Sequence, residues 1–403
     1  MNYTPDEVIQ YVQEADVKFV RMAFCDIYGK QRNVAIMARE LPRAFAHGIA
    51  FDASAVRGFG MDVRSDLFLR PNASTLKELP WRPQHGRVAH MFCDIVHPDG
   101  TPFEADTRQL LRRAAERAAE EGYEFRFGTE MEFYLFKQDE RGEPTREPFD
   151  RAGYMDVAPE DKGENVRRDI CLTLERMGIL PESSHHESGP GQNEIDFRYA
   201  DPVSAADNAI LFRSVVKAIA AQNGLWADFS PRPLPEHDGN GMHINISALC
   251  RGQELPPLDL LPGLLNRIRE MTLFLNPAED SYARLGRDKA PAYISWSEEN
   301  RSQLVRLPAA DGEFRRLELR SPDSSANPYL AFHLIIQACL EGIGKGLALD
   351  LPARLNLQRA DAETPKRLRR LPATLTEAAS AALGSEFIRE NVPAQILKGY
   401  SAS

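Results

Sequence analysis

The chain has 403 residues, 43% of them apolar, and a formal net charge of −10. That length exceeds the roughly 250–300 residues at which one hydrophobic core stops growing, so two domains are expected. The acidic balance argues against nucleic acid or an anionic membrane as partner, because phosphate binding usually leaves a basic face. Cys25, Cys93, Cys171, Cys250 and Cys339 have no paired spacing and read as reduced, mostly buried thiols, which points to a cytoplasmic protein. The N-terminus has no basic region followed by an apolar run, and no stretch approaches ~18 consecutive apolar residues.

In chain order, Val17–Phe24 and Gln31–Met37 are strand-like and joined by a turn through Tyr28-Gly29-Lys30; Val88–Val96 is a third such run. The stretch 48–87 between them reads mainly as loop. Pro98, Gly100 and Pro102 then punctuate the chain, and a domain boundary is expected near residue 102, giving units 1–102 and 103–403. Asp106 or Thr107 is positioned to cap a helix with Leu110, Leu111, Ala114, Ala115 and Ala118 on one stripe. The polar run 137–163, with three prolines, reads as an exposed flap or loop. Further helices are expected at about 164–177, 204–223, 258–275, 328–349 and 373–391. Strands interleaved with long helices make the second unit α+β.

Four distant segments place polar side chains on alternate positions with apolar residues between them. They are Gly128-Thr-Glu130-Met-Glu132-Phe133, Gln192-Asn-Glu194-Ile-Asp196-Phe-Arg198, Met242-His243-Ile-Asn245-Ile-Ser247 and Arg316-Leu-Glu318-Leu-Arg320. Strand side chains alternate faces, so each segment reads as a strand with one face on a core and one charged face. Glu130 and Glu132 would sit ~6.6 Å apart on one face while Thr129, Met131, Phe133 and Leu135 face inward. If the four strands pair, the charged faces line one cavity.

One such carboxylate pair alone is more readily a solvated strand face. Hard divalent cations such as Mg²⁺ and Mn²⁺ take several carboxylate oxygens, and His185-His186-Glu187-Ser-Gly-Pro-Gly-Gln192-Asn-Glu194 adds two more, Glu187 and Glu194. With His243 and Glu318 on their own strands, the cation reading becomes favoured. Gly239-Asn-Gly241 offers exposed main-chain amides to a carboxylate or phosphate, although a tight turn explains these glycines equally well. Arg284, Arg301, Arg306, Arg315, Arg316 and Arg320 fall in one short window of an acidic chain. Planar forked donors suit carboxylate and phosphate, whereas surface ion pairs are the alternative for any single arginine. Cations, arginines and glycine amides without a nucleophile–histidine–acid set suggest phosphoryl transfer on a small acid. No Gly-x-x-x-x-Gly-Lys-Ser/Thr segment is present, so a P-loop is excluded.

The stretches FVRMAFCDIYGKQRNVAI, FDASAV, GTEMEF, HHESGPGQNEIDF, GNGMHINIS, NPAEDSYARL, ENRSQLVRLP and RRLELRSPDSSANPYLAF resemble the glutamine synthetase family over nearly the whole chain. The resemblance implies a β-grasp N-terminal domain and a catalytic domain whose antiparallel sheet lines a funnel, with ATP, glutamate and two Mg²⁺ or Mn²⁺ ions inside. It implies one cation on Glu132, Glu187 and Glu194 and a second on Glu130, His243 and Glu318. Arg320, Arg284 and the Gly239 backbone would hold glutamate, Arg301 and Arg306 would face the transferred phosphoryl group, and Arg316, Asn245 and Ser247 would lie at ATP. Asp52 would bind ammonium and take its proton from a neighbouring subunit, which implies homo-oligomeric rings, usually two stacked hexamers.

Four positions depart from the family pattern. Lys289 stands where the flap carries a glutamate, with Asp288 beside it; Asp238 replaces an asparagine; Asn245 replaces a histidine; Glu313 replaces a lysine. The C-terminus is short, and Asp350-Leu-Pro-Ala lacks a preceding tyrosine, so adenylylation is not expected. The expected activity is glutamine synthesis from glutamate and ammonia. The altered flap supports an alternative, γ-glutamyl transfer to an organic amine, and a catalytically silent scaffold is a third reading.

Overall fold

The period-two runs of the first hundred residues build one sheet. The computed structural model describes residues 3–60, 65–82, 85–310, 312, 315–357, 359 and 368–402; the expectation placed on Glu313 lies outside them. Helix α1 (Pro5–Glu14) is followed by β1 (Val17–Cys25), β2 (Gln31–Met37), α2 (Leu41–His47), β3 (Ile49–Asp52), β4 (Asp66–Pro71), β5 (Lys77–Glu78) and β6 (Arg87–Val96). The strands run in the order β2-β1-β6-β4-β3, with β5 beside β6. β1 and β6 are parallel, and the other pairs in this sheet are antiparallel. The stretch 48–87, expected to be mainly loop, therefore contributes three short strands. α1, which was not expected, is closed by a capping box: Glu7 N donates to Thr4 Oγ1 while Thr4 N donates to Glu7 Oε2.

The second unit begins with α3 (Thr107–Glu120), capped by Asp106. It continues through β7 (Tyr123–Gln138), β8 (Pro144–Pro148), α4 (Glu164–Arg176), β9 (Pro181–His186), β10 (Gln192–Phe197), α5 (Pro202–Gln222), β11 (Leu225–Asp228), β12 (Met242–Cys250) and β13 (Gln253–Glu254). After α6 (Pro257–Leu275) and α7 (Glu279–Arg284) come β14 (Trp296–Glu298), β15 (Val305–Leu307), β16 (Leu317–Leu319), α8 (Pro328–Gly344), α9 (Leu375–Gly384), α10 (Glu386–Asn391) and α11 (Ala394–Ser401). The helix expected over 373–391 is two, because Ser385 leaves the helical conformation and its hydroxyl caps α10 at Ile388 N. The run 137–163 is not simply an exposed flap: β8 pairs with β7, and Asp150 and Asp161 are buried.

The larger sheet has the order β14-β15-β16-β12-β7-β10-β9, so the four alternating segments are four consecutive strands. Thr129, Met131, Phe133 and Leu135 are buried on its inner face. Phe127 stacks on Phe332 of α8 at 4.4 Å between centroids. α6 and α8 pack closely behind: a Cβ at Gly263 would come within 2.0 Å of Ala338 O. The two sheets are joined by buried polar contacts. Asn327 Nδ2 and Tyr400 Oη both donate to Ile27 O, at 2.9 Å each. Arg108 of α3 donates to Asp94 of β6 at 3.3 Å while forking onto Asp207 of α5 with two 2.9 Å bonds. All five cysteines are free, with Cys25, Cys93 and Cys339 buried. Among the described residues no helix is long and apolar enough to cross a membrane.

Candidate active site

Register decides which polar side chains meet. Across β7 and β12, Glu130 is opposite His243; across β7 and β10, Glu132 is opposite Glu194 and Glu130 opposite Asp196; across β12 and β16, Asn245 is opposite Glu318. Their shared face opens into a cavity of about 630 Å³. Glu130, Glu132, Glu187, Glu194, His243, Gly239, Arg284, Arg301, Arg306, Arg316 and Arg320 all line it. Eleven of the expected site residues are thus brought together by strands and loops separated by up to 190 positions in the chain.

Glu130 Oε2 lies 3.2 Å from His243 Nδ1, and its Oε1 accepts from Asn245 Nδ2 at 2.9 Å. Burial opposes its ionisation, but these two partners hold its carboxyl down to about 2. Glu132 Oε2 accepts from Gly241 N at 2.7 Å and Gln192 Nε2 at 3.3 Å. Burial, with Glu187 nearby, nonetheless raises its pKa. Burial followed by repulsion from Asp196 and three other carboxylates pushes Glu194 well above the usual range. Asp196 is likewise raised to about 7 by burial and by Glu130. Glu194 and Asp196 are thus short of countercharge, whereas Glu130 has His243 and Glu187 has Lys289.

Ligand atoms of Glu130, Glu194 and His243 lie within 4.8 Å of one another, as do those of His185, Glu187 and Glu194. Carboxylate oxygens and one imidazole, with a surplus of negative charge, are a donor set suited to hard divalent cations. Glu318 is completely buried beside them, 3.7 Å from His243 Nδ1, with Arg306 Nε and Arg320 Nη1 on its two oxygens. Arg284 points its guanidinium at main-chain oxygens, 2.8 Å from Ser321 O and 3.4 Å from Arg320 O. Arg316 Nε donates to Asn245 Oδ1 at 2.9 Å, tying together two residues expected at ATP. Asn245 itself opens onto an adjoining cleft of about 190 Å³ shared with Glu130, Asp196 and Arg316.

Besides Glu318 and Asn245, which adjoin the cavity without lining it, two expected residues lie apart from it. Ser247 continues the same strand face but lines a separate cleft of about 120 Å³ with Arg126, Glu254 and Arg315. Asp52 is exposed at the end of β3 and accepts from Ser54 N at 2.9 Å and Ser54 Oγ at 2.6 Å. The altered flap does reach the site: Lys289 Nζ lies 2.7 Å from Ser188 Oγ and 3.3 Å from Glu187 Oε2, and 4.6 Å from the Tyr154 ring centre. Asp288 turns to Arg232 at 3.1 Å. The Asp238 pKa is raised by burial and by Asp288. Gln192, Asp196 and Ser183 also face the cavity without an expected role, although strand parity with Glu194 marks the first two. His185 stood in the His185-His186-Glu187 motif without an assigned role, and Tyr154 carried no sequence signal.

Known proteins agree with this architecture. A family model described as the glutamine synthetase β-grasp domain matches residues 16–98, and one described as the glutamine synthetase catalytic domain matches residues 104–403. The chain is 43% identical to a glutamine synthetase of Methanosarcina mazei, over 98% of this chain and 92% of that one. It is 41% identical to a glutamine synthetase of Clostridium saccharobutylicum, over 99% of this chain and 94% of the relative. A solved structure described as a GmaS/ADP complex superposes with a TM-score of 0.89 at 27% identity, covering 100% of this chain and 94% of that one. Matches along both units, laid over a carboxylate-lined cavity of this geometry, place the chain in the glutamine synthetase family, as an enzyme of the glutamate–ammonia ligase type.

Proposed function

We propose that this protein makes glutamine from glutamate, ammonia and ATP, with the division between its two domains near residue 102. The observation that carries this reading is the single polar face shared by β10, β7, β12 and β16, which gathers carboxylates, a histidine and arginines around one cavity. In this reading Glu132, Glu187 and Glu194 hold one divalent cation, and Glu130, His243 and Glu318 hold a second. Bound there, Mg²⁺ or Mn²⁺ supplies charge neutralisation for the phosphates. Arg320, Arg284 and the Gly239 backbone hold glutamate; Arg316, Asn245 and Ser247 hold ATP.

The reaction has two steps. The glutamate γ-carboxylate oxygen bonds to the γ-phosphorus of ATP as ADP leaves, with Arg301 and Arg306 facing the phosphoryl oxygens. Ammonia then attacks the acyl carbon, phosphate departs with the bonding pair, and one proton leaves the nitrogen. In this assignment Asp52 first binds ammonium and takes its proton, freeing the ammonia that attacks, and the proton lost afterwards leaves with the phosphate. The exposure of Asp52 on the smaller sheet, outside the cavity, supports its acting on a neighbouring copy in a ring-shaped homo-oligomer, whether one hexameric ring or two. Five free thiols support a cytoplasmic location.

Lys289 favours a second reading, in which an organic amine replaces ammonia. A cation beside Glu187 and Ser188, with Asp238 and Asp288 also lining the cavity, changes the charge presented to the acceptor. Mass spectrometry of products formed from Mg²⁺-ATP and glutamate separates the two. Efficient glutamine formation from ammonium supports the first, and accumulation of only a γ-glutamyl amine from ethanolamine, methylamine or putrescine overturns it.

A further inference from the structure

Glu187 is the one expected cation-binding carboxylate that reaches the cavity from a loop, residues 187–191 between β9 and β10, and not from a strand. It stands beside Glu132 and Glu194 in the cavity, and its cationic side-chain partner there, Lys289 at 3.3 Å, belongs to a half-exposed flap. The loop is also tied on its buried side. Behind it, outside the cavity lining, lies a buried cluster: Asp150, Asp161, Arg167, His186 and Asn193.

His186 Nε2 is 2.9 Å from Asp150 Oδ1, and His186 Nδ1 is 2.6 Å from Glu187 O. Both ring nitrogens face oxygens, so both carry protons, and Asp150 is the countercharge. The same Asp150 Oδ1 accepts from Gly191 N at 2.9 Å, and its Oδ2 from Lys162 N at 3.1 Å. One carboxylate oxygen thereby pins the start of the loop, through the imidazole, and its end, through a main-chain amide. Arg167 adds a second tie: it forks onto Asp161 and donates to Asn193 Oδ1 at 2.7 Å, while Asn193 Nδ2 donates to Gly191 O at 2.9 Å.

Asp150, Asp161 and His186 place ligand atoms within 4.8 Å of one another, which resembles a cation site. It is not one. Each of their carboxylate oxygens already accepts from a protein donor and both imidazole nitrogens are engaged. The cluster does its work through hydrogen bonds, and low-dielectric networks of this kind rigidify what they join.

We propose that Asp150 and His186, reinforced by Arg167 and Asn193, are positioning residues that clamp the loop 187–191 and hold Glu187 against its neighbouring carboxylates, preorganising the cation site. The proposal rests on the cation reading given above. Outer partners of metal-binding residues typically account for about 10–100-fold in affinity. Asp150→Asn keeps the shape of the clamp and removes its charge.

The test uses the full chain without substrates, with Mn²⁺ titrated by electron paramagnetic resonance and amide hydrogen exchange followed by mass spectrometry. Asp150→Asn is expected to weaken Mn²⁺ binding about 10-fold or more and to speed exchange in 187–193 while α5 and α8 exchange as in the wild type. Mn²⁺ affinity within twofold of wild type together with unchanged exchange in 187–193 overturns the proposal, and so does acceleration spread evenly over both helices. Arg167→Lys, which keeps the charge and loses the fork, is read in the same way if Asp150→Asn does not fold. A wild-type protein that binds no Mn²⁺ overturns the cation reading instead, and the exchange data still decide the clamp.

Discussion

Glu318→Gln separates the structural and chemical roles of the fully buried carboxylate beside the cavity. Its side chain is 0% exposed and holds the guanidinium groups of Arg320, 2% exposed, and Arg306, 12% exposed. Removing one partner of a buried ion pair costs about 3–5 kcal/mol, because the remaining charge is left without compensation. Glutamine keeps the volume and one acceptor oxygen, so about 2–3 kcal/mol of stability should be lost, the difference between charge-assisted and neutral hydrogen bonds summed over two arginines. Turnover should fall further than stability does. The two guanidinium groups would relax from the positions they hold toward substrate, and His243, 3.7 Å away, would lose an adjacent negative charge. We expect kcat for ADP release to drop at least 100-fold, which corresponds to about 2.7 kcal/mol of transition-state stabilisation. The assay pairs a coupled ADP assay at 25 °C with a urea midpoint on the same preparation. Turnover within threefold of wild type refutes the assignment of Glu318 to the phosphoryl-transfer site, whatever happens to the midpoint.

Asp52→Ala should slow amide formation more than 100-fold while changing ATP affinity less than threefold; because Asp52 also accepts from Ser54, a local stability loss of about 1 kcal/mol accompanies it. Equal losses in both steps would make Asp52 structural. Lys289→Glu should raise the ratio of glutamine to γ-glutamyl amine in a competition assay with ammonium and methylamine at least 10-fold; an unchanged ratio would show that the flap cation does not choose the acceptor. Stability should fall in acid through His333, whose pKa burial depresses to about 4 from an unfolded value near 6.5. The folded state then binds fewer protons than the unfolded chain below pH 6.5, so its contribution is complete above that pH and is lost as pH falls toward 4. His333→Gln should therefore reduce the stability difference between pH 7.5 and 4.5 by about 2.5 kcal/mol, measured by urea unfolding at each pH. An unchanged difference would place the acid sensitivity elsewhere.

The site was largely legible because its geometry is a register problem. Alternation along β7, β10, β12 and β16 assigns each side chain to a face, and pairing of those strands does the rest. What escaped was non-periodic. β3, β4 and β5 are short and separated by turns, so 48–87 read as loop. The segment 150–163 looked exposed because its composition is polar, yet Asp150 and Asp161 are buried by His186 and Arg167, partners that no local pattern announces. Lys289 could be seen as a departure in the flap, but its contact with Glu187 depends on how a loop folds back over the sheet.

The central position of β7 also bears on which length changes the chain tolerates. β12 reads its first half and β10 its second, and the two overlap at Glu130 and Met131. One extra residue between Gly128 and Glu130 would reverse facing for one half of the strand relative to the other, exposing Thr129 or Met131 to the cavity and burying a glutamate in the core. At the tip of the β7–β8 hairpin the same insertion is nearly free, since a Cβ at Gly142 meets nothing within 4 Å. Deletions and insertions among natural or engineered variants should therefore collect at 139–143 and stay out of 123–135, even though both stretches belong to one hairpin.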